Sequence, residues 1–70
     1  MKGYLKRLLD ERNEAVQKKE RLAEFIGKND TFKGLSTEKS SLMRTQLHIM
    51  EAYVEVLDHR INIEDFTETE

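Results

Sequence analysis

The chain contains no cysteine and no proline, and only three glycines. Without cysteine there are no disulfides and no thiolate metal sites, a composition that suits a reducing compartment. With charged residues at 37% and helix formers dominating, the lack of proline favours long, solvent-exposed helices over a sheet protein. Gly3, Gly27 and Gly34 are too scattered to form a phosphate-cradling loop. Long apolar runs are also missing, far short of the roughly 20 residues a membrane span needs. Met1-Lys2-Gly3-Tyr4 leads straight into charged residues with no apolar core of a signal peptide. A cytoplasmic protein with no membrane partner is expected.

What is present must stabilise a very short chain. At 70 residues, folding buries only about 60% of the surface that the unfolded form exposes. Chains below roughly 70–80 residues usually need disulfides, a metal or oligomerisation, and here oligomerisation remains. The net charge of −2 conceals an asymmetry. Residues 1–44 hold eleven of the twelve Lys and Arg against seven acids, or +4; residues 45–70 hold only Arg60 against seven acids, or −6. Antiparallel packing of the two halves is one use of this contrast, and a phosphate-binding patch on the basic half is another.

Apolar periodicity predicts a helix from about residue 2 to 26, a loop over 27–36 and a helix from about 37 to 61. In the first, Leu8/Leu9, Ala15/Val16 and Leu22/Ala23 recur every seven residues, with Leu5 and Ile26 completing the stripe. Gly27 or Asn29 could close it in the left-handed conformation. Phe32 and Leu35 are the loop's large apolar residues and are expected to plug the end of the bundle. Ser36 or Thr37 then caps the second helix, although Lys39 stands where a reciprocal capping box wants Glu or Gln.

The second helix carries two apolar rows. Met43, Leu47, Met50, Val54, Leu57 and Ile61 form a coiled-coil-like seam. Beside it run Leu42, Gln46, Ile49, Tyr53, Val56, Arg60 and Ile63. Together the rows cover about 200° of the helix, and one partner helix covers about half of that. Leu42, Ile49, Tyr53, Val56 and Ile63 are therefore the expected oligomer interface. The fold class that follows is all-α: a two-helix antiparallel hairpin over 1–63, assembling into a homo-oligomeric bundle. Residues 64–70, with four carboxylates and no base, read as a disordered acidic tail.

Catalytic chemistry finds no foothold, since no nucleophile lies beside a plausible base and a small hairpin offers no deep pocket. The protein is expected not to be an enzyme and to need no cofactor. His48, Glu51, Glu55 and His59 share the second helix's polar face but lack the Glu-x-x-His spacing of carboxylate-bridged bundles, so they read as solvated charges rather than as metal ligands. DNA is not an expected partner, because the second helix is too acidic for a groove.

The pointed feature is polar residues at seam positions. Arg12 and Lys19 occupy slots that Leu5 and Ile26 fill with carbon, and Gln46 and Arg60 do the same in the outer row. A charge buried without a partner costs several kcal/mol, so each must reach water, an acid or a ligand. Long stems can snorkel; alternatively, symmetry gathers copies of these cations around an anion. Tyr53, between Gln46 and Arg60 in the row, could stack on a base or anchor an interface. Arg12, Lys19, Gln46, Tyr53 and Arg60 are the candidate ligand-binding set.

The series Tyr4, Leu8, Glu11, Leu22, Phe25-Ile26, Phe32, Leu35-Ser36, Glu38, Leu42, Gln46-Leu47, Met50, Tyr53, Leu57 and Arg60-Ile61 resembles a family of small helical-hairpin proteins of crAss-like and other tailed phages. The likeness spans about residues 4–61. Lys39 departs from that pattern where an acid is usual, and Met43 replaces a common Leu. A looser architectural resemblance links the chain to phage anti-defence sponges, which sequester cyclic oligonucleotide signals as non-catalytic oligomers; no ligand residue aligns clearly enough to transfer. What the resemblance implies is a cyclic-nucleotide sponge. The alternative is a protein–protein adaptor that docks through its apolar second helix.

Overall fold

The computed structural model describes the backbone of residues 3–28 and 30–69, with side chains up to Asp65. The described residues are all-helical: α1 spans Gly3–Lys28, α2 is the single turn Asp30–Lys33, and α3 spans Thr37–Thr69. α1 and α3 pack side by side along a body 52 Å long and about 15 Å across. They run antiparallel, as contacts of Tyr4 with Arg60, Glu11 with Tyr53 and Arg12 with Asp58 require.

The core forms where the two seven-residue stripes meet. Leu5 and Leu8 of α1 and Val54 and Leu57 of α3 are buried, Leu57 completely. The rest of the α3 seam, Met43, Leu47, Met50 and Ile61, is half-buried. Facing it on α1 are Arg12, Ala15 and Lys19, also half-buried. Val16 beside them is half-buried too, so the fully buried residues of the pair are Leu5, Leu8, Val54 and Leu57 at one end.

The other end is closed by the connector. Phe32 is buried, edge-on to Phe25 with ring centres 6.0 Å apart. The Arg44 guanidinium lies 5.1 Å from the centre of its ring, a cation–π contact. Leu35 is half-buried beside it, so the plug expected of these two residues is present. The α2 turn comes from Gly34 N–H donating to the Asp30 and Thr31 carbonyls and Leu35 N–H to that of Phe32. Ser36 is the cap of α3: its Oγ accepts from the Lys39 N–H at 3.2 Å, satisfying one of the donors a helix start leaves open.

Three expectations change. α1 runs two residues past Ile26, and Gly27 keeps right-handed dihedrals, as no described residue has a positive φ; Asn29 lies outside the described residues. The connector is not wholly loop, because Asp30–Lys33 wind into one turn. The acidic segment expected as an unstructured tail continues α3 as far as Thr69. Residues 62–69 contain neither Gly nor Pro, so no breaker ends the helix at Ile61. Residue 70 lies outside the described residues.

Candidate functional site

Helical geometry sends the two rows of α3 in different directions. With the inner seam on α1, the outer row is rotated by about 100° from it and is exposed throughout: Leu42, Gln46, Ile49, Tyr53, Val56, Arg60 and Ile63. Where α1 borders this row, its Tyr4 and Glu11 reach across. Arg60 Nη2–H donates to Tyr4 Oη at 2.6 Å, and Tyr53 Oη–H donates to the Glu11 carboxylate. Glu11 and Tyr4 are seven residues apart on α1, and Tyr53 and Arg60 are seven apart on α3. Read in opposite directions, those spacings bring both pairs together at one register.

The flank has its own electrostatics. The hydrogen bond to Glu11 raises the Tyr53 phenol above its ordinary value, because ionisation would remove the proton that the phenol donates; desolvation and repulsion from the carboxylate add in the same sense, and Arg60 opposes them. The hydrogen bond to Tyr4 holds the Arg60 guanidinium still more firmly protonated, with the Glu11 carboxylate contributing in the same sense. Next to these groups is a groove of about 280 Å³, lined by Glu11, Glu14, Ala15, Lys18, Met50 and Tyr53. Two acids and one base line it, so within one chain this groove does not favour phosphate.

The five candidate ligand residues do not converge within one chain. Gln46, Tyr53 and Arg60 lie on one flank, each about 10 Å from the next along the helix. Arg12 points to the opposite flank, where its Nε–H donates to Asp58 Oδ1 at 2.8 Å. Of the outlets open to a seam cation, Arg12 takes the acid. Lys19 is half-buried at its seam position nearer the connector. Tyr4 and Glu11, which hold Arg60 and Tyr53, were not among the candidates; the matched seven-residue spacings are the signal that points to them. On the polar face, His48 lies 3.5 Å from Glu51 and His59 3.8 Å from Glu55, all of them exposed. Among the described residues, no three His, Asp or Glu side chains gather in a way that could hold a metal ion.

Fold and flank together define a small all-α protein that displays its polar and aromatic groups on an open surface instead of enclosing them. No described helix is long and apolar enough to cross a membrane. The model of the Sequestin family matches residues 2–63, and the chain belongs to that family. The family's name points to sequestration. Searches of curated proteins and of solved structures each return no match. Of the resemblance read from the sequence, the sequestering character is what this membership supports; it does not bear on phage origin.

Proposed function

We propose that this protein is a non-enzymatic, phage-encoded binding protein that works in the host cytoplasm as a homo-oligomer of antiparallel helical hairpins. Its role is to sequester an anionic nucleotide signal of the cyclic oligonucleotide class. Membership of a family named for sequestration carries the reading. The flank chemistry supports it: Arg60 offers a planar fork suited to phosphate, and Tyr53, seven residues away, offers a ring on which a base can stack. Both are held in place by α1, which lowers the cost of ordering them on binding.

The acids set the terms of this reading. Glu11 sits beside Tyr53 and Arg12 is paired with Asp58, so the cations for a ligand with several phosphates must come from more than one copy, with Lys19 and Gln46 adding to Arg60 and Tyr53. Calorimetry of the full chain against cyclic di- and trinucleotides is the test. Saturable binding is expected, with Arg60→Ala weakening it roughly tenfold to a hundredfold, the worth of a hydrogen bond to a charged group, while the assembly stays intact. Glu11→Gln removes a carboxylate from the phosphate's surroundings and is expected to tighten binding. No heat from any of these ligands at tens of micromolar protein refutes the nucleotide reading.

A second reading is favoured by the exposed apolar row itself: an adaptor that docks this row on a host or phage protein. A ligand-blind chain that captures one defined protein, and loses it on Ile49→Glu, is its signature.

A further inference from the structure

We infer that the exposed row of α3 is covered by α3 of a second copy of this chain, the two helices lying antiparallel. The inference deepens the assembly half of the proposed function and rests on no ligand.

The first ground is a shortage of core. Among the described residues only Leu5, Leu8, Phe32, Val54 and Leu57 are buried hydrophobics, a small complement for a chain of this length. Against them stand Leu42 at 65% exposure, Ile49 at 64%, Val56 at 52% and Ile63 at 64%. These four recur at strict seven-residue intervals along one straight helix, the geometry that a second helix at a shallow crossing angle fits. The row is roughly 30 Å long, and a helix pair of that length covers surface on the order of 1,000 Å², the lower bound for a specific interface.

The second ground is charge order, and it names the partner. Along the edge that borders α1, α3 presents Lys39 near its start and Arg60 near its end, and half-buried Glu64 stands beside Arg60 at the end of the inner seam column. Two parallel copies would set Lys39 against Lys39, Arg60 against Arg60 and Glu64 against Glu64. Reversing one copy brings Lys39 of each helix near Glu64 of the other and separates the like charges, and it also opposes the helix dipoles. An antiparallel pair of this kind is a self-complementary, two-fold interface, with Lys39 and Glu64 as its paired charges. Its axis passes near Ala52, at the middle of the row.

The absence of native cysteine makes site-specific spin labelling clean. In the full chain without nucleotide, a label at Ala52→Cys is expected to show an interspin distance of roughly 10–15 Å, close to the helix spacing. A label at Ser41→Cys is expected at roughly 30–35 Å, twice its distance from the axis along α3. Ile49→Glu combined with Val56→Glu should abolish both couplings while helicity is kept, because both positions are exposed in the single chain. Short distances at both labels would mean a parallel pair; absence of coupling at tens of micromolar, or coupling that survives the double variant, would mean that this face is not the interface. Each of those results overturns the inference. Because no nucleotide is present, failure here and failure of nucleotide binding are read separately.

Discussion

Leu57→Ala separates the core from the outer row most directly. Leu57 is fully buried between α1 and α3, so truncation removes its transfer free energy and leaves a cavity, together worth about 2–5 kcal/mol. A chain of this size holds on the order of 4–10 kcal/mol of folding stability in all. At roughly 4–8 °C per kcal/mol for small domains, the thermal midpoint should fall by at least about 10 °C, with the largest cavity costs leaving the chain partly unfolded at room temperature. Leu42→Ala is the matched control, since it makes the same chemical change at a site 65% exposed in the single chain. Exposed sites usually respond within about 0.5 kcal/mol, so any larger loss there must come from association and must depend on protein concentration. Urea melts followed by circular dichroism at two concentrations measure both. A Leu57→Ala loss below about 1 kcal/mol would refute the antiparallel core, and a large, concentration-independent loss at Leu42 would mean that the inner and outer rows had been exchanged.

Two further outcomes follow from the same structure. Because Tyr53 donates to Glu11 and its phenol is raised, the neutral form is the one the fold favours; the contribution is complete below the ordinary phenol value and is lost as pH rises through the elevated one. Titration of the ultraviolet phenolate band in a Tyr4→Phe background should show a raised midpoint that Glu11→Gln lowers, and an unchanged midpoint would dissolve the pair. Deleting residues 66–70 should move the thermal midpoint by less than about 5 °C, on the order of 1 kcal/mol, as expected for a charged terminal segment, and a larger drop would show that Phe66 docks on the bundle.

The helices and the inner seam were legible because seven-residue recurrence is a strong signal over several turns: Leu5, Leu8, Val54 and Leu57 stand where the pattern put them. Phe32 was legible for a different reason, being a large apolar residue in a connector that otherwise has little to bury. The last turns of α3 were misread because four carboxylates suggest solvation more loudly than the lack of Gly or Pro suggests helix. The flank was half legible. Tyr53 and Arg60 stood out as polar or aromatic groups in an apolar row, but their partners depend on the register between helices, which no single helix's pattern contains. Arg12 shows the same limit: its seam position was evident, whereas its choice of Asp58 needed the second helix in place.

The register itself presents a problem of addressing. An apolar stripe that repeats every seven residues offers its partner similar footing after a slip of seven, so adhesion alone discriminates only weakly among alignments. Arg12 does not discriminate either, because Glu51, Asp58 and Asp65 form a column of acids at that interval, and each slipped alignment offers Arg12 another carboxylate. Tyr4 and Glu11 do distinguish the alignments. A slip in one direction sets Tyr4 opposite Tyr53 and Glu11 opposite Gln46; a slip in the other sets Tyr4 opposite Thr67 and Glu11 opposite Arg60. The first slip gives Glu11 and Tyr4 no cationic partner, and the second gives Glu11 an ion pair but takes Arg60 from Tyr4 and leaves Tyr53 without its acceptor, so the native alignment is the one that holds both bonds. Exposed bonds of this kind add little to overall stability. Their contribution, together with the Phe32 plug that limits the connector's reach, is to make one of several nearly equivalent zippings the correct one.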